Sequence, residues 1–173
     1  MPTYPNTISS KLPKVGTTIF TVMSRLAQEQ GAFNLSQGFP DFPVDQHLID
    51  LVHHHMSTGK NQYPPMAGIP RLREIICEKM ERLYGTSYDP ETEVTITAGG
   101  TQAIFTAIMA TINEGDEVIM FTPAYDCYAP AVELAGGKPV YVQLKSTDYG
   151  IDWKQVKKVV SRHTKMIMIN TPH

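Results

Sequence analysis

Hydrophobic residues recur at helical spacing in three segments of the first half of the chain. The apolar stripes predict helices over residues 18–30, 45–57 and 70–84. Gly31, Gly59 and Gly85 follow these stripes and mark their ends, and Pro70 suits the first position of the third helix. Residues 1–16, rich in Pro, Ser, Thr and Lys, are predicted to form an extended arm.

From residue 93 the pattern changes to alternating strands and helices. Short apolar or β-rich runs predict strands at 93–97, 117–121, 139–144 and 165–170, and helical patterns lie between them at 101–112, 125–134 and 152–162. Strands separated by helices require crossover connections. The prediction is therefore an α/β fold with a mainly parallel or mixed sheet and helices on its faces.

The chain stops at Thr171-Pro172-His173, directly after the last predicted strand. In open α/β sheets the loops that leave the carboxyl ends of strands build the binding site. We therefore expect the sequence to be truncated.

Composition and charge exclude several classes of protein. With 173 residues, 42% hydrophobic and 18% charged, the chain has the composition of a globular domain. A formal charge of -2 argues against nucleic acid and membrane surfaces as partners. There are only two cysteines, Cys77 and Cys127, and we find no signal sequence or membrane-spanning apolar run. A cytoplasmic location is expected.

A strand–turn–helix pattern at Thr97-Ala98-Gly99-Gly100-Thr101 is typical of an anion site. The glycines allow close approach of the backbone to a phosphate, and the N–H groups of the new helix point at it. The same pattern also occurs in ordinary tight turns, so this segment does not decide between the two. Neither the dinucleotide-binding glycine fingerprint nor the P-loop is present.

Two tyrosines stand in loops that suit ligand contact. Tyr125 follows the strand at 117–121 and could lay its ring on a flat heterocycle or simply pack under the loop, whereas Tyr128 is expected to pack there. Tyr63, on a proline-stiffened loop, could reach another surface or simply be half-buried. The run His53-His54-His55 is not expected to bind metal, because successive helical residues point about 100° apart.

Taken in order, these segments resemble the class I pyridoxal-phosphate-dependent aminotransferases of the aspartate aminotransferase fold type, with the methionine and kynurenine aminotransferases as the nearest subgroup. The resemblance covers essentially the whole chain. The segments that carry it are Lys11-Leu12-Pro13, Gly16-Thr17-Thr18-Ile19-Phe20, Asn34-Leu35-Ser36-Gln37-Gly38-Phe39-Pro40-Asp41-Phe42, Asn61-Gln62-Tyr63, Gly68 with Leu72-Arg73, Thr97-Ala98-Gly99-Gly100, Asn113-Glu114-Gly115-Asp116-Glu117-Val118-Ile119 and Asn170-Thr171-Pro172-His173.

The resemblance implies a three-layer α/β/α large domain, incomplete here. Residues 1–45 would form an N-terminal arm and a small-domain segment, and residues 46–173 the first part of the cofactor-binding large domain. The cofactor would be pyridoxal 5'-phosphate, and the enzyme a homodimer with shared active sites. It would transfer the amino group of an L-amino acid, methionine or an aromatic or kynurenine-like one, to a 2-oxo acid.

The same resemblance implies roles for eight residues. Gly100, Thr101 and Gln102, at the start of the helix at 101–112, would hold the cofactor phosphate. Tyr125 would stack on the pyridine ring, and Tyr63 would reach the cofactor phosphate of the other subunit. The Gly38 backbone would lie over the substrate carboxylate, and Thr18 and Phe20 would line an apolar side-chain pocket together with Tyr63.

Several groups that the resemblance implies are not found in the sequence. These are an asparagine after His173, an aspartate on the pyridine nitrogen, the Schiff-base lysine and an arginine for the substrate carboxylate. We therefore assign no catalytic residue and no metal ligand, and expect the chain to be inactive alone. The alternatives are a carbon–sulfur β-lyase on the same fold and the ligand-sensing domain of a transcription regulator. The regulator is disfavoured because the resemblance begins near residue 10, without room for a DNA-binding segment.

Overall fold

The computed structural model describes residues 9–38 and 40–173. The first eight residues of the predicted arm, and Phe39 within the Asn34–Phe42 motif, lie outside the described residues. The chain forms two compact units: one is Met23–Ala98, and the other joins the segment that ends at Val22 to Gly99–His173. The division at residue 45 into a small-domain segment and a cofactor-binding domain stays a prediction.

Three helices of the first half form where the apolar pattern predicts them. They are α1 (Ile19–Glu29), α2 (Gln46–Ser57) and α3 (Pro70–Tyr84). The Asp45 carboxylate caps α2 by accepting a hydrogen bond of 2.8 Å from the His47 N–H. Gly85 ends α3 in the left-handed conformation, with φ at 66°. Local capping chemistry therefore sets these bounds.

Inside the Met23–Ala98 unit, α3 is tied to the segment that follows it. The Arg73 side chain is 3% exposed, and its guanidinium donates to the Pro90 carbonyl and to the Glu91 carboxylate. The Ile96 N–H donates to the Ala67 carbonyl at 2.9 Å. Gly68, with φ at 101°, packs so closely on Ile96 that an added Cβ would lie 2.4 Å from the Ile96 Cγ1.

The predicted strand at 93–97 is wrong, because the structure has no strand there. The β-branched run indicates an extended backbone, but a strand also needs a neighbouring strand with which to form a ladder. The three strands in the part of the chain that the structure describes pair only with one another. The Ile96 N–H donates instead to the Ala67 carbonyl, which lies in a turn. Composition alone does not reveal this lack of a partner strand.

The second unit is built on a parallel sheet with strand order β2-β1-β3, formed by β1 (Glu117–Thr122), β2 (Lys138–Gln143) and β3 (Thr164–Met168). Helices α4 (Gly100–Thr111), α5 (Tyr128–Leu134) and α6 (Trp153–Val159) alternate with the strands. β1 is the central strand, and its residues Val118, Ile119 and Met120 are fully buried. This continuous apolar run is typical of a strand that is covered on both faces.

Alternate side chains of β1 enter two separate cores. On one face Val118 and Met120 pack with residues of α4 and α5, including Ile108 and Val132. On the other face Ile119 and Phe121 pack with Val142 of β2, Leu144 and Val156 of α6. Because successive strand residues point to opposite faces, the sheet is covered by helices on both sides. The predicted α/β layering is confirmed in this unit.

Two predicted helices are shorter in the structure. α5 begins at Tyr128 instead of residue 125, because the residues before it form a turn in which the Tyr128 N–H donates to the Tyr125 carbonyl at 3.2 Å. α6 ends at Val159 because Val160 is extended. A turn closed by the Thr164 N–H and the Ser161 carbonyl, 3.2 Å apart, then leads into β3.

Candidate active site

The first element of the candidate site is the N-terminus of α4. Gly99 is its N-cap, with φ at 90°, and carries no side chain that could cap the first turn. A Cβ built on Gly99 or Gly100 would meet nothing within 4 Å, so the space in front of these glycines is open. No acidic residue lies in the first turn. The backbone amides and dipole at a helix N-terminus favour an anion, and this one has no carboxylate of its own in the first turn to compete with it.

The second element is the loop after β1, which presents the ring of Tyr125. This side chain is 50% exposed. Two other rings lie near it: the centroid of Phe20 is 6.1 Å away, and that of Tyr128 is 5.9 Å away. The neighbours hold one part of the ring and leave another part open to a flat ligand.

The loop after β1 and the first turn of α4 come together through the packing of α4 on α5. A cavity of about 180 Å³ between these helices is lined by Thr101 on one side and by Cys127 on the other. Thr101 is the second residue of α4, and Cys127 lies two residues after Tyr125. The structure therefore brings Gly100 and Thr101 into the same neighbourhood as the loop that carries Tyr125.

Burial changes the acidity of two side chains at the end of the loop after β1 and the start of α5. Removal from water raises the pKa of the Cys127 thiol, and the nearby Asp126 carboxylate raises it further. The thiol is therefore held in its neutral form, which disfavours a nucleophilic role. Burial likewise raises the pKa of the Tyr128 hydroxyl, with smaller effects from Cys127 and Tyr125.

Side chains also link the carboxyl ends of β1 and β3. The Tyr128 hydroxyl donates to Asn170 Oδ1 at 3.1 Å, and His173 Nε2 lies 2.8 Å from the Pro123 carbonyl oxygen. The imidazole of His173 stacks on the ring of Tyr149, with centroids 4.9 Å apart and planes 15° apart. A cavity of about 350 Å³ opens at this edge of the sheet.

The structure places the remaining predicted residues as follows. Phe20 and Thr18 belong to the same unit as Tyr125, and the Thr18 hydroxyl accepts a hydrogen bond of 3.3 Å from the Thr21 N–H. Gly38 and Tyr63 belong to the Met23–Ala98 unit. The Tyr63 side chain is 99% exposed, and a Cβ on Gly38 would meet nothing within 4 Å. Their roles stay predictions.

The hydrogen bonds of Tyr128, Asn170 and His173 were not predicted from the sequence. The prediction that Tyr128 is a packing residue is confirmed, because it packs against the core that contains Val118 and Met120; its hydroxyl is in addition bonded to Asn170, 42 positions away. No local pattern encodes such a pair. The only available signal was that both residues follow strands, since parallel strands place their carboxyl ends at one edge of the sheet.

The protein is similar to known aminotransferases over almost its whole length. The family model for aminotransferase class I and II matches residues 30–173. The methionine aminotransferase of Escherichia coli (strain K12) is 49% identical over 164 residues, which are 95% of this chain and 42% of that protein. The human kynurenine–oxoglutarate transaminase 1 is 37% identical over 162 residues, 86% of this chain and 38% of that protein.

Solved structures agree with these relatives. The crystal structure of YbdL from Escherichia coli, identified as a methionine aminotransferase, superposes with a TM-score of 0.93 at 48% identity, over 98% of this chain and 44% of that chain. The chain thus spans about two fifths of the length of the relatives it matches. The predicted fold class and family are confirmed, and the chain belongs to the class I and II aminotransferases.

Proposed function

We propose that the complete gene product is a pyridoxal-phosphate-dependent aminotransferase. It moves the amino group of an L-amino acid, methionine or an aromatic or kynurenine-like one, to a 2-oxo acid. The proposal is supported by membership of the family and by the names of two relatives, a methionine aminotransferase and a kynurenine–oxoglutarate transaminase. The observation that carries it is the open glycine N-terminus of α4 beside the loop of Tyr125.

The residues at the start of α4 fit a phosphate ester. Gly99 brings no side chain of its own to the helix entrance, and a Cβ on Gly100 would meet nothing within 4 Å. We assign the cofactor phosphate to the first turn formed by Gly100, Thr101 and Gln102. There the N–H groups and the positive end of the helix dipole favour a dianion, and the Thr101 hydroxyl offers one further donor.

The ring of Tyr125 fits the aromatic part of the same cofactor. A phenol ring that is half exposed and held by two neighbouring rings can cover a flat heterocycle with little loss of conformational entropy. Bound pyridoxal phosphate supplies an electron sink for the α-carbon of the amino acid. The residues of this chain are proposed to bind and orient the cofactor. No lysine of this chain is assigned as the one that would carry it.

Phe20, Thr18 and Gly38 are proposed for the substrate side of the site. The ring of Phe20 lies beside that of Tyr125, with centroids 6.1 Å apart, and so adds an apolar surface next to the ring that is proposed to cover the cofactor. That surface suits a methionine or aromatic side chain. Because the Thr18 hydroxyl is engaged at the start of α1, its contribution to the pocket would come from its methyl group. The Gly38 backbone is proposed to cover the substrate carboxylate.

We further propose a homodimer with shared active sites, located in the cytoplasm. A tyrosine ring that is 99% exposed on a loop between two helices is suited to contact a second subunit, and Tyr63 is proposed to reach the partner's cofactor phosphate. Both cysteines are unpaired, which agrees with a reducing compartment. No helix of the described residues is long and apolar enough to span a membrane.

The test is cofactor binding and amino transfer by the complete gene product, with Thr101→Glu as the diagnostic variant. A carboxylate in the first turn of α4 would lie beside the phosphate, so we expect cofactor affinity to fall about 100-fold or more. His47→Glu adds the same charge to the first turn of α2, a helix of the Met23–Ala98 unit to which no cofactor contact is assigned, and should leave affinity within about twofold.

The outcomes separate the candidate functions. Transfer of the amino group from methionine or kynurenine to a 2-oxo acid, lost in Thr101→Glu, supports the proposal. A wild-type protein that binds no pyridoxal phosphate refutes it. Release of pyruvate and ammonia from cystathionine without a 2-oxo acid would instead identify a carbon–sulfur β-lyase.

A further inference from the structure

Tyr128 joins two loops that are far apart in sequence. It stands at the first position of α5, after β1, and its hydroxyl donates to Asn170 Oδ1 at 3.1 Å, in the segment after β3. β1 and β3 are neighbours in the sheet, so both loops leave the same edge. The bond therefore ties together two loops at the edge where ligands bind in α/β sheets.

The acceptor of this bond is itself held in place. The Asn170 amide nitrogen faces the Pro172 carbonyl oxygen at 3.5 Å, and His173 reaches back to the Pro123 carbonyl at 2.8 Å. Asn170 is thus engaged through both its oxygen and its nitrogen. A hydroxyl bonded to a fixed acceptor restricts the ring that carries it.

The ring of Tyr128 also contacts Tyr125, with centroids 5.9 Å apart and an angle of 58° between the planes. Phe20 lies 6.1 Å from Tyr125. Burial raises the pKa of the Tyr128 hydroxyl, which further favours the protonated form that donates to Asn170. The Tyr128 ring, which lies beside Tyr125, is therefore held at its hydroxyl end by the bond to Asn170.

We propose that Tyr128 is a positioning residue: its bond to Asn170 fixes the Tyr128 ring, and that ring holds Tyr125 in the orientation in which it covers the cofactor. The inference rests on the proposed function and extends it to a residue that does not itself touch the cofactor. Deletion of one hydroxyl should therefore weaken cofactor binding while the ring packing is kept.

The experiment uses the complete gene product with Tyr128→Phe, and Tyr141→Phe as the matched control. Tyr141 lies on β2, is 54% exposed, and has no hydrogen bond described for its side chain. A single neutral hydrogen bond corresponds to roughly two- to tenfold in an equilibrium constant, so Tyr128→Phe should bind pyridoxal phosphate about two- to tenfold more weakly. Its visible circular dichroism should also change, because Tyr125 no longer holds one orientation. Tyr141→Phe should match wild type in both measurements.

Two double-mutant cycles test whether the effect passes through the named residues. If Tyr128 acts through Asn170, the double variant Tyr128→Phe/Asn170→Ala should lose less cofactor affinity than the product of the fold-losses of the two single variants. If it acts on Tyr125, Tyr128→Phe in a Tyr125→Ala background should cause no further loss of affinity. Multiplicative losses in either cycle would overturn the inference.

The outcomes also separate this inference from the proposed function. Wild-type binding of pyridoxal phosphate together with Tyr128→Phe behaving like Tyr141→Phe would refute the positioning role alone. A wild-type protein that bound no pyridoxal phosphate would refute the proposed function and this inference with it. The Tyr128–Asn170 bond would still be measurable as non-additive thermal stabilities in the cofactor-free protein.

Discussion

The contact of Gly68 with Ile96 makes a substitution at this glycine the most demanding test of the Met23–Ala98 unit. Gly68 has φ at 101°, and a Cβ added there would lie 2.4 Å from the Ile96 Cγ1 and 2.7 Å from its Cβ. Real Cβ atoms do not approach other atoms so closely, so the Ile96 segment must move. The adjacent bond from the Ile96 N–H to the Ala67 carbonyl, at 2.9 Å, should lengthen or break.

The size of the effect follows from two terms. A non-glycine residue in the left-handed region costs about 1–2 kcal/mol, and overpacking costs about 1–3 kcal/mol. Gly68→Ala should therefore reduce stability by about 2–5 kcal/mol. Gly85→Ala is the matched control, because φ is 66° there and a Cβ would meet nothing within 4 Å. Only the first term applies to the control.

Hydrogen exchange followed by mass spectrometry of the complete gene product provides a local readout. Protection of the Ile96 amide should fall in Gly68→Ala and remain in Gly85→Ala. Addition of Ile96→Ala removes the Cγ1 and should restore part of the stability, so the double variant should lose less than the sum of the two single losses. If Gly68→Ala loses no more stability than Gly85→Ala, the steric argument is wrong.

Two further predictions concern the second unit. Asp152→Ala should cost about 1 kcal/mol, because the carboxylate caps α6 by accepting from the Lys154 N–H at 2.9 Å; an unchanged urea midpoint would contradict this. Alkylation of Cys127 by iodoacetamide, followed by peptide mass mapping, should show a pH midpoint above the ordinary thiol value of 9.0, because burial disfavours the thiolate. In denaturant the pH midpoint of alkylation should fall to the ordinary value. A midpoint at or below 9.0 in the folded protein would contradict the argument that burial raises the pKa of this thiol.

Local chemistry explains why most helices and strands could be predicted from the sequence. α3 begins at a proline and ends at a left-handed glycine, and both signals are visible in single residues. The central strand β1 is a continuous apolar run because it is covered on both faces. Such features depend on neighbours within a few positions, so a pattern along the chain is enough to detect them.

The errors arise where a specific hydrogen bond, and not the apolar pattern, decides the backbone conformation. The extended segment at 93–97 has strand composition, but its described backbone bond at Ile96 goes to a turn at Ala67. The start of α5 is delayed by a turn that the apolar pattern does not encode. The first error follows a contact between distant residues, and the second follows a local turn closed by the Tyr128 N–H and the Tyr125 carbonyl; intrinsic propensity is a weak guide to either.

In the candidate site, too, the features that depend on local chemistry could be predicted from the sequence and a contact between distant residues could not. The glycines at the start of α4 and the ring of Tyr125 stand out in the sequence because their chemistry is local: a helix N-terminus without a side-chain cap, and an aromatic directly after a strand. Tyr128, the residue proposed to hold Tyr125, does not stand out in the sequence, since a tyrosine in an apolar helix is equally suited to packing alone. Only the 3.1 Å distance from its hydroxyl to Asn170 distinguishes the two roles. For a parallel sheet, therefore, residues that follow neighbouring strands should be examined as pairs, because the fold brings them together whatever their separation along the chain.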